Sequence, residues 1–271
     1  MQYQGGKSRI AKDIAAKIRE MYPTAMEIWE PFCGGGAVTL ALAKAGFKVY
    51  AGDSHEDLIL MWQALMRGET EPFADVTEAE HAALRTAAPS ARRGFVGFGA
   101  SFGGVWLSGF ARRRTAGGKV AKAQPHEEAA RSCSRLLNLN ITFTLADYTS
   151  TPDHVLVYAD PPYQGTQPYK GVPAFNHTTF WSWVRCRQGP TFVSELSGPD
   201  DIEIVWRKQH KSQIASNSPT TKATAKVIER EERLYFFPGN RRTTNPKEPR
   251  EHHPSHLQPT PATHELHWHR S

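Results

Sequence analysis

Residues 27–53 constrain this chain's fold more than any other stretch. Residues 27–32 read as a short strand running into Gly34-Gly35-Gly36. Residues 36–45 read as a helix packed with Ala, Val and Leu and stopped by Gly46, and 47–51 as a second apolar strand ending at Gly52-Asp53. Strand, glycine turn, helix, strand is the βαβ signature of a doubly wound α/β sheet. Glycines at such a turn let the backbone approach a ligand closely and expose the helix N-terminus. The pattern is not G-x-G-x-x-G, because Thr39 and Leu40 stand where the last glycine would fall. The turn therefore reads either as a cofactor loop or as a plain turn. Asp53, about 20 residues on, is placed for ribose hydroxyls. It and Ser54 also precede a helix, so an N-cap is the other reading.

The rest of the chain continues the alternation. Residues 8–22 form an amphipathic pattern through Ile10, Ile14, Ile18 and Met21, with Ser8 as a cap and Pro23 beyond the end. A second amphipathic helix is expected over 56–67. Between Gly94 and Gly109 lie six glycines, with Phe95, Phe98, Phe102, Trp106 and Phe110 at helical spacing. Each glycine costs a helix about 1 kcal/mol relative to Ala, so a glycine-rich loop or inserted subdomain competes with a helix here. After Pro125 a helix is expected to about residue 138, then strands at 141–145 and 154–159. A helix at 179–187, a strand at 190–196 and late strands at 202–210 and 226–238 complete the pattern. Residues 239–271 change character, gathering Pro, Thr, Arg and six of the twelve histidines, and read as a disordered tail.

At 271 residues the chain can bury a large core. No run approaches the roughly 18 apolar residues of a membrane span. No apolar stretch follows Lys7 and Arg9, so no secretory signal is expected. Cys33, Cys133 and Cys186 are too few and too scattered for a disulfide framework and fit a reducing cytosol. No Cys/His spacing resembles a zinc site, and no metal is expected. The net charge of +6 is unevenly placed. From His81 to His126 there is no Asp or Glu, while Arg85, Arg92, Arg93, Arg112, Arg113, Arg114, Lys119 and Lys122 supply +8 and leave −2 for the remainder. Such a block suits an anionic partner such as nucleic acid, or is a solvated loop.

Asp160-Pro161-Pro162-Tyr163 is the most specific motif. Two prolines directly after a strand lack the N–H needed to extend the ladder. They hold the chain at the strand's carboxyl edge, where open α/β sheets bind ligands. One carboxylate, carbonyls with no donors beside them and one ring suit a flat ligand bearing an amine. Tyr3-Gln4-Gly5-Gly6-Lys7 adds a lysine ahead of the first helix, able to reach an anion in the same cleft.

Together, Y-x-G-G-K, P-F-C-G-G-G, an acid after the second strand, a basic middle segment and D-P-P-Y resemble the DNA adenine methyltransferases of the Dam-like type, in their alpha order and in the form common in phages and prophages. The resemblance extends through Phe192-Val193-Ser194-Glu195-Leu196 and Glu232-Arg233-Leu234-Tyr235, covering roughly residues 1–238. It implies a Rossmann-like methyltransferase sheet, mixed but mostly parallel and seven-stranded, with an inserted DNA-recognition subdomain. The cofactor half would be 1–70, the recognition insertion 71–140, the catalytic half 141–238 and the tail 239–271.

The resemblance also implies roles. Tyr3 and Lys7 would contact S-adenosyl-L-methionine, Lys7 at its carboxylate. The family usually has Trp where Tyr3 stands. Phe32, Gly34 and Gly36 would lie beside the methionine moiety, Asp53 at the ribose and Asp147 near the adenine. Asp160, Pro161, Pro162 and Tyr163 would be catalytic, with Asp160 also near the cofactor. Asp160 and the Pro161 carbonyl would accept the two amine hydrogens of an adenine flipped out of double-stranded DNA, with Tyr163 stacked on it. Arg92, Arg93, Arg112, Arg113 and Arg114 would contact phosphates or base edges. The aromatic stripe is read as core, with one ring as a candidate to fill the gap left by the flipped base. The alternatives are a cytosine-amine methyltransferase and a catalytically inactive DNA-binding relative. A cytoplasmic monomer is expected, in a bacterial cell or phage-infected host, with a dimer on DNA as the other arrangement.

Overall fold

The computed structural model describes residues 3, 5–70, 73, 76–111, 113–114, 120–121, 131–132, 134–164, 175–214 and 226–240. Its helices are α1 (Ala11–Met21), α2 (Ala37–Lys44), α3 (Glu56–Met66), α4 (Glu78–Ala83), α5 (Ala91–Gly99) and α6 (His177–Cys186). Its strands are β1 (Glu27–Glu30), β2 (Lys48–Asp53), β3 (Arg113–Arg114), β4 (Val120–Ala121), β5 (Ile141–Leu145), β6 (Val157–Ala159), β7 (Thr191–Glu195), β8 (Glu203–Ile214) and β9 (Lys226–Phe237).

Seven strands form one sheet in the order β5-β2-β1-β6-β7-β9-β8, and β3 and β4 form a separate hairpin. The pairs β5·β2, β2·β1, β1·β6 and β6·β7 are parallel. β9 runs antiparallel to both β7 and β8. The sheet is mixed, mostly parallel and seven-stranded, the Rossmann-like arrangement expected from the sequence. The order reverses between β1 and β6, which opens a crevice at their carboxyl ends.

Both faces of the sheet are covered, and strand alternation decides which side chain goes where. Tyr158, Phe192 and Leu234 enter one apolar cluster, with Ile14 and Ile18 of α1, Leu42 of α2 and Met61 and Trp62 of α3. Their neighbours Val157, Ala159, Val193 and Tyr235 enter the other, under Phe180, Trp181 and Val184 of α6.

Two expectations change. The first concerns the glycine-rich segment, which is helical over Ala91–Gly99. Its glycines are contact points: a β-carbon at Gly94 would collide with the Asp57 carbonyl of α3, and one at Gly97 with the Trp106 ring. Close packing of α5 on α3 thus offsets the propensity cost. Phe95 and Phe98 join the main cluster, while Phe102 is 64% exposed. The second concerns Ser8, which does not cap α1. Ile10 is the N-cap residue and makes no side-chain cap bond, and Lys7 O accepts the Ile10 and Ala11 N–H groups at 2.9 and 2.8 Å.

Asn240 N–H donates to Arg187 O at 2.9 Å. The remainder of the expected tail, 241–271, lies outside the described residues, as do Arg112, Lys119, Lys122 and Cys133. No helix among the described residues is long and apolar enough to cross a membrane.

Candidate active site

The crevice between the ends of β1 and β6 is built by four segments. Pro31 to Gly36 follow β1 and form the first. Cys33 N–H donates to Gly52 O at 2.8 Å, and Gly36 N–H to Cys33 O at 2.8 Å. Gly34 (φ 43°) and Gly36 (φ 69°) occupy the left-handed region that glycine enters without strain. Gly36 opens α2 with no side-chain cap, so the first turn of that helix presents its N–H groups.

Asp53, at the end of β2, braces this turn. Its Oδ2 accepts the Gly34 N–H at 3.0 Å and its Oδ1 the His55 N–H at 3.0 Å. Burial raises its carboxyl pKa, and these backbone donors act against that rise. The N-cap reading of Asp53 gives way to this, since the N-cap residue of α3 is His55. From below, Trp62 Nε1 donates to Gly34 O at 3.0 Å. Cys33 is buried and its thiol is pushed well up, chiefly by burial, so it is no nucleophile.

The N-terminal segment closes over the turn. Gly6 N–H donates to Tyr3 O at 3.1 Å. The Tyr3 ring lies on the glycines, so a β-carbon at Gly34 would come 2.9 Å from its Cε1. The ring also packs against Phe98 of α5, centroids 4.9 Å apart.

Lys7, anchored by its carbonyl at the start of α1, reaches Asp160. Lys7 Nζ lies 2.8 Å from Asp160 Oδ1, with side chains 6% and 19% exposed. Nζ also stands 4.2 Å from the centre of the Tyr163 ring. Burial raises the Asp160 pKa while the Lys7 charge and hydrogen bond pull it down. Pro161 is buried and Pro162 exposed. The Tyr163 hydroxyl donates to Glu232 Oε2 at 2.6 Å, and the next residue, Gln164, donates its N–H to Glu195 Oε1 at 2.8 Å. Burial first, then the charges of Asp160 and Glu232, hold the Tyr163 phenol far above its ordinary range, so it keeps its proton.

Residues 3–98 match the model of the D12 class N6 adenine-specific DNA methyltransferase family. Over these residues the chain is similar to that family. The members of that family are N6 adenine-specific DNA methyltransferases. No curated protein matches the chain. Among solved structures it is similar to PH1948 of Pyrococcus horikoshii (8% identity, 84% of this chain and 83% of that one, TM-score 0.39). It is also similar to yhhF of Escherichia coli (10%, 84% and 86%, 0.36) and TehB of Haemophilus influenzae (9%, 84% and 62%, 0.38).

The matched stretch holds Tyr3, Lys7, the glycine turn and Asp53. The Lys7–Asp160 pair joins it to the D-P-P-Y motif beyond. An uncapped helix start, a glycine turn and a carboxylate at the end of β2 have the chemistry to hold S-adenosylmethionine. Two predicted site residues are less central. Phe32 stacks on Tyr148 (5.5 Å, 24°) and meets Phe175 and Phe180 edge-on. Asp147 is exposed and caps the turn at Tyr148–Ser150 through Thr149 N at 2.9 Å.

Arg92 and Arg93 have partners within the protein. Arg92 makes a two-pronged pair with Glu80 at 2.6 and 2.8 Å. Arg93 bonds Asp57 Oδ2 at 2.6 Å and Leu84 O at 2.8 Å and lies over Trp106. Acids outside the acid-free window draw both inward. Arg113 and Arg114 lie on the β3·β4 hairpin, paired with Ala121 and Val120.

Glu195 and Glu232 are functional candidates that sequence reasoning did not single out. Glu195 is 1% exposed, and burial pushes its carboxyl up to about 8. Glu232 is 8% exposed. The available signal was position: Glu195 ends an otherwise uncharged strand, and Glu232 falls in the same alternate series as Leu234 and Phe236.

Proposed function

We propose that this crevice methylates N6 of an adenine turned out of double-stranded DNA, with Asp160, Pro161, Pro162 and Tyr163 as the catalytic segment. The observation that carries this reading is the 2.8 Å contact of Lys7 with Asp160, which brings the N-terminal and D-P-P-Y motifs together at one sheet edge.

Adenine's exocyclic amine is a weak nucleophile because its lone pair is delocalised into the ring. Asp160 and the Pro161 carbonyl would accept its two hydrogens and turn the lone pair out of the ring plane. Positioning and electrostatics supply most of the catalysis in such a step. The charge of Lys7 favours the ionised Asp160 that can accept a hydrogen bond and stabilise positive charge growing on N6. Tyr163 would stack on the base. When bound, S-adenosylmethionine supplies the electrophilic methyl group. Tyr3, Lys7, Phe32, Gly34, Gly36, Asp53 and Asp147 are the residues proposed to hold it, with the glycine turn and Asp53 at the centre.

The hairpin carrying Arg113 and Arg114, with the adjoining Arg112 and exposed Arg85, is the proposed phosphate contact. Residues 71–140 are the proposed recognition region, between cofactor and catalytic halves at 1–70 and 141–238. A cytoplasmic monomer is proposed, since its substrate lies in that compartment and Asp160, Lys7 and Tyr163 come from one chain.

The test is incubation with labelled S-adenosylmethionine and duplex DNA, followed by digestion to nucleosides. Label in N6-methyladenine is expected. Label in methylcytosine, or none in nucleosides, overturns the reading.

A further inference from the structure

The Tyr163 ring is held at three places. Lys7 Nζ lies 4.2 Å from its centroid. The following residue is tied to β7 through Gln164 N–H and Glu195. The far end is tied to β9, where Glu232 accepts the hydroxyl hydrogen at 2.6 Å. A tyrosine side chain on a strand-end loop has two free torsions. Its hydroxyl oxygen lies on the axis of the second, so fixing that oxygen sets the direction of the ring's long axis, and the O–H, which prefers the ring plane, biases rotation about it. Glu232 suits that purpose because it is buried on a long paired strand. Its cross-strand neighbour Lys208 is engaged with Asp13 at 2.6 Å.

We propose that Glu232 is a positioning residue, which fixes the direction of the Tyr163 ring by accepting its hydroxyl hydrogen and so orients the target base that stacks there. This rests on the reading of Tyr163 as the base-stacking residue. Glu232 need not touch substrate. Without it, the partly buried phenol loses the acceptor that holds its far end, and the ring is no longer fixed there.

The experiment compares the full-length chain with Glu232→Ala, Glu232→Gln, Tyr163→Phe and the double variant Tyr163→Phe/Glu232→Ala. It reads kcat and KM for duplex DNA and the Kd for S-adenosylmethionine. Misplaced reacting groups lose rate and cofactor sites elsewhere do not, so Glu232→Ala is expected to lower kcat about 10- to 100-fold with the cofactor Kd within about 2-fold. Glu232→Gln, whose amide oxygen still accepts the phenol hydrogen, should recover most of that rate. The double variant should be no slower than the slower single one, because the two groups act as a unit.

Multiplicative losses in the double variant, or full activity in Glu232→Ala, overturn the inference while leaving the methylation reading intact. If the unaltered chain forms no N6-methyladenine, the functional reading fails and the inference with it. The double variant also leaves no unpaired phenol, so its normal folding separates a positioning effect from a folding defect.

Discussion

Lys7 and Asp160 form a 2.8 Å ion pair between the turn that precedes the first helix and the end of the sixth strand. Lys7 is buried. The pair fixes the orientation of the proposed catalytic carboxylate and works against the effect of burial on its charge. It also makes the cofactor and catalytic motifs interdependent, because moving the N-terminal segment removes the counter-charge from Asp160.

Lys7→Met should therefore change the pH profile as well as the rate. Lys7 lowers the Asp160 pKa, so its loss raises that pKa, and the acid limb of kcat against pH should move to higher pH. Asp160→Ala should lower kcat by about 10²-fold or more while S-adenosylmethionine still binds. Removing one partner of a buried pair costs about 3–5 kcal/mol, and the lower end applies here because Asp160 is partly exposed. A pH–rate profile, calorimetric cofactor binding and urea unfolding test these outcomes. An unmoved acid limb in Lys7→Met contradicts the role given to the pair.

Glu195 makes a separate pH prediction. Its folded-state pKa of about 8 lies above that of an exposed glutamate. Below the unfolded value, both states hold the proton and the stability it allows is fully present. Between that value and about 8, the folded state binds more protons than the unfolded one, so stability falls as pH rises. Glu195→Gln removes this titration while its amide oxygen still accepts from Gln164. The variant should gain on the order of 1 kcal/mol or more near pH 8 relative to the unaltered chain, with little difference at pH 4. Urea midpoints across that range decide it; parallel curves would show that Glu195 does not titrate in the fold.

The parallel half of the sheet was legible in the sequence because each strand there is punctuated within a few residues by Gly, Asp or Pro. The D-P-P-Y and glycine motifs were legible for the same reason: their backbone requirements are local. The partners of Arg92 and Arg93 were not legible because net charge in a window cannot see Glu80 and Asp57, which lie outside it in sequence and beside it in space. Glu195 and Glu232 escaped because their position in the strand pattern is a weak local mark of a buried acid. Their burial comes from the pairing of β7 with β9, a long-range event. The helix at Ala91–Gly99 was doubtful for a related reason, since propensity registers the cost of its glycines and not the contacts they permit.

That helix gives two rules with opposite signs. By propensity alone, Gly94→Ala should stabilise the protein by about 1 kcal/mol. By packing, the added methyl meets the Asp57 carbonyl, a backbone atom that cannot swing aside. Overpacking of this kind costs about 1–3 kcal/mol, so net destabilisation is expected, with a lower midpoint in thermal melts. A stabilised variant would mean that α5 is not seated on α3 as described. Gly97→Ala should be destabilising as well, but more mildly, because the Trp106 ring it meets is a side chain able to shift.

The arginines of the basic window should separate into two classes. Arg93 is committed to Asp57 and Leu84 O and lies over Trp106, so Arg93→Ala removes an internal support. It should lower stability and leave the salt dependence of DNA binding unchanged. Arg113 and Arg114 sit on the hairpin outside the main sheet, where a phosphate contact releases counterions on binding. Replacing both with Ala should leave the melting temperature nearly unaltered. If each neutralises one phosphate, the slope of log K against log salt should become shallower by about 2, at roughly 0.9 per phosphate. Fluorescence anisotropy titrations of a labelled duplex at several salt concentrations, run beside thermal melts, distinguish the classes. A shallower slope for Arg93→Ala, or an unchanged slope for the hairpin variant, would move the proposed DNA contact off the hairpin and back to α5.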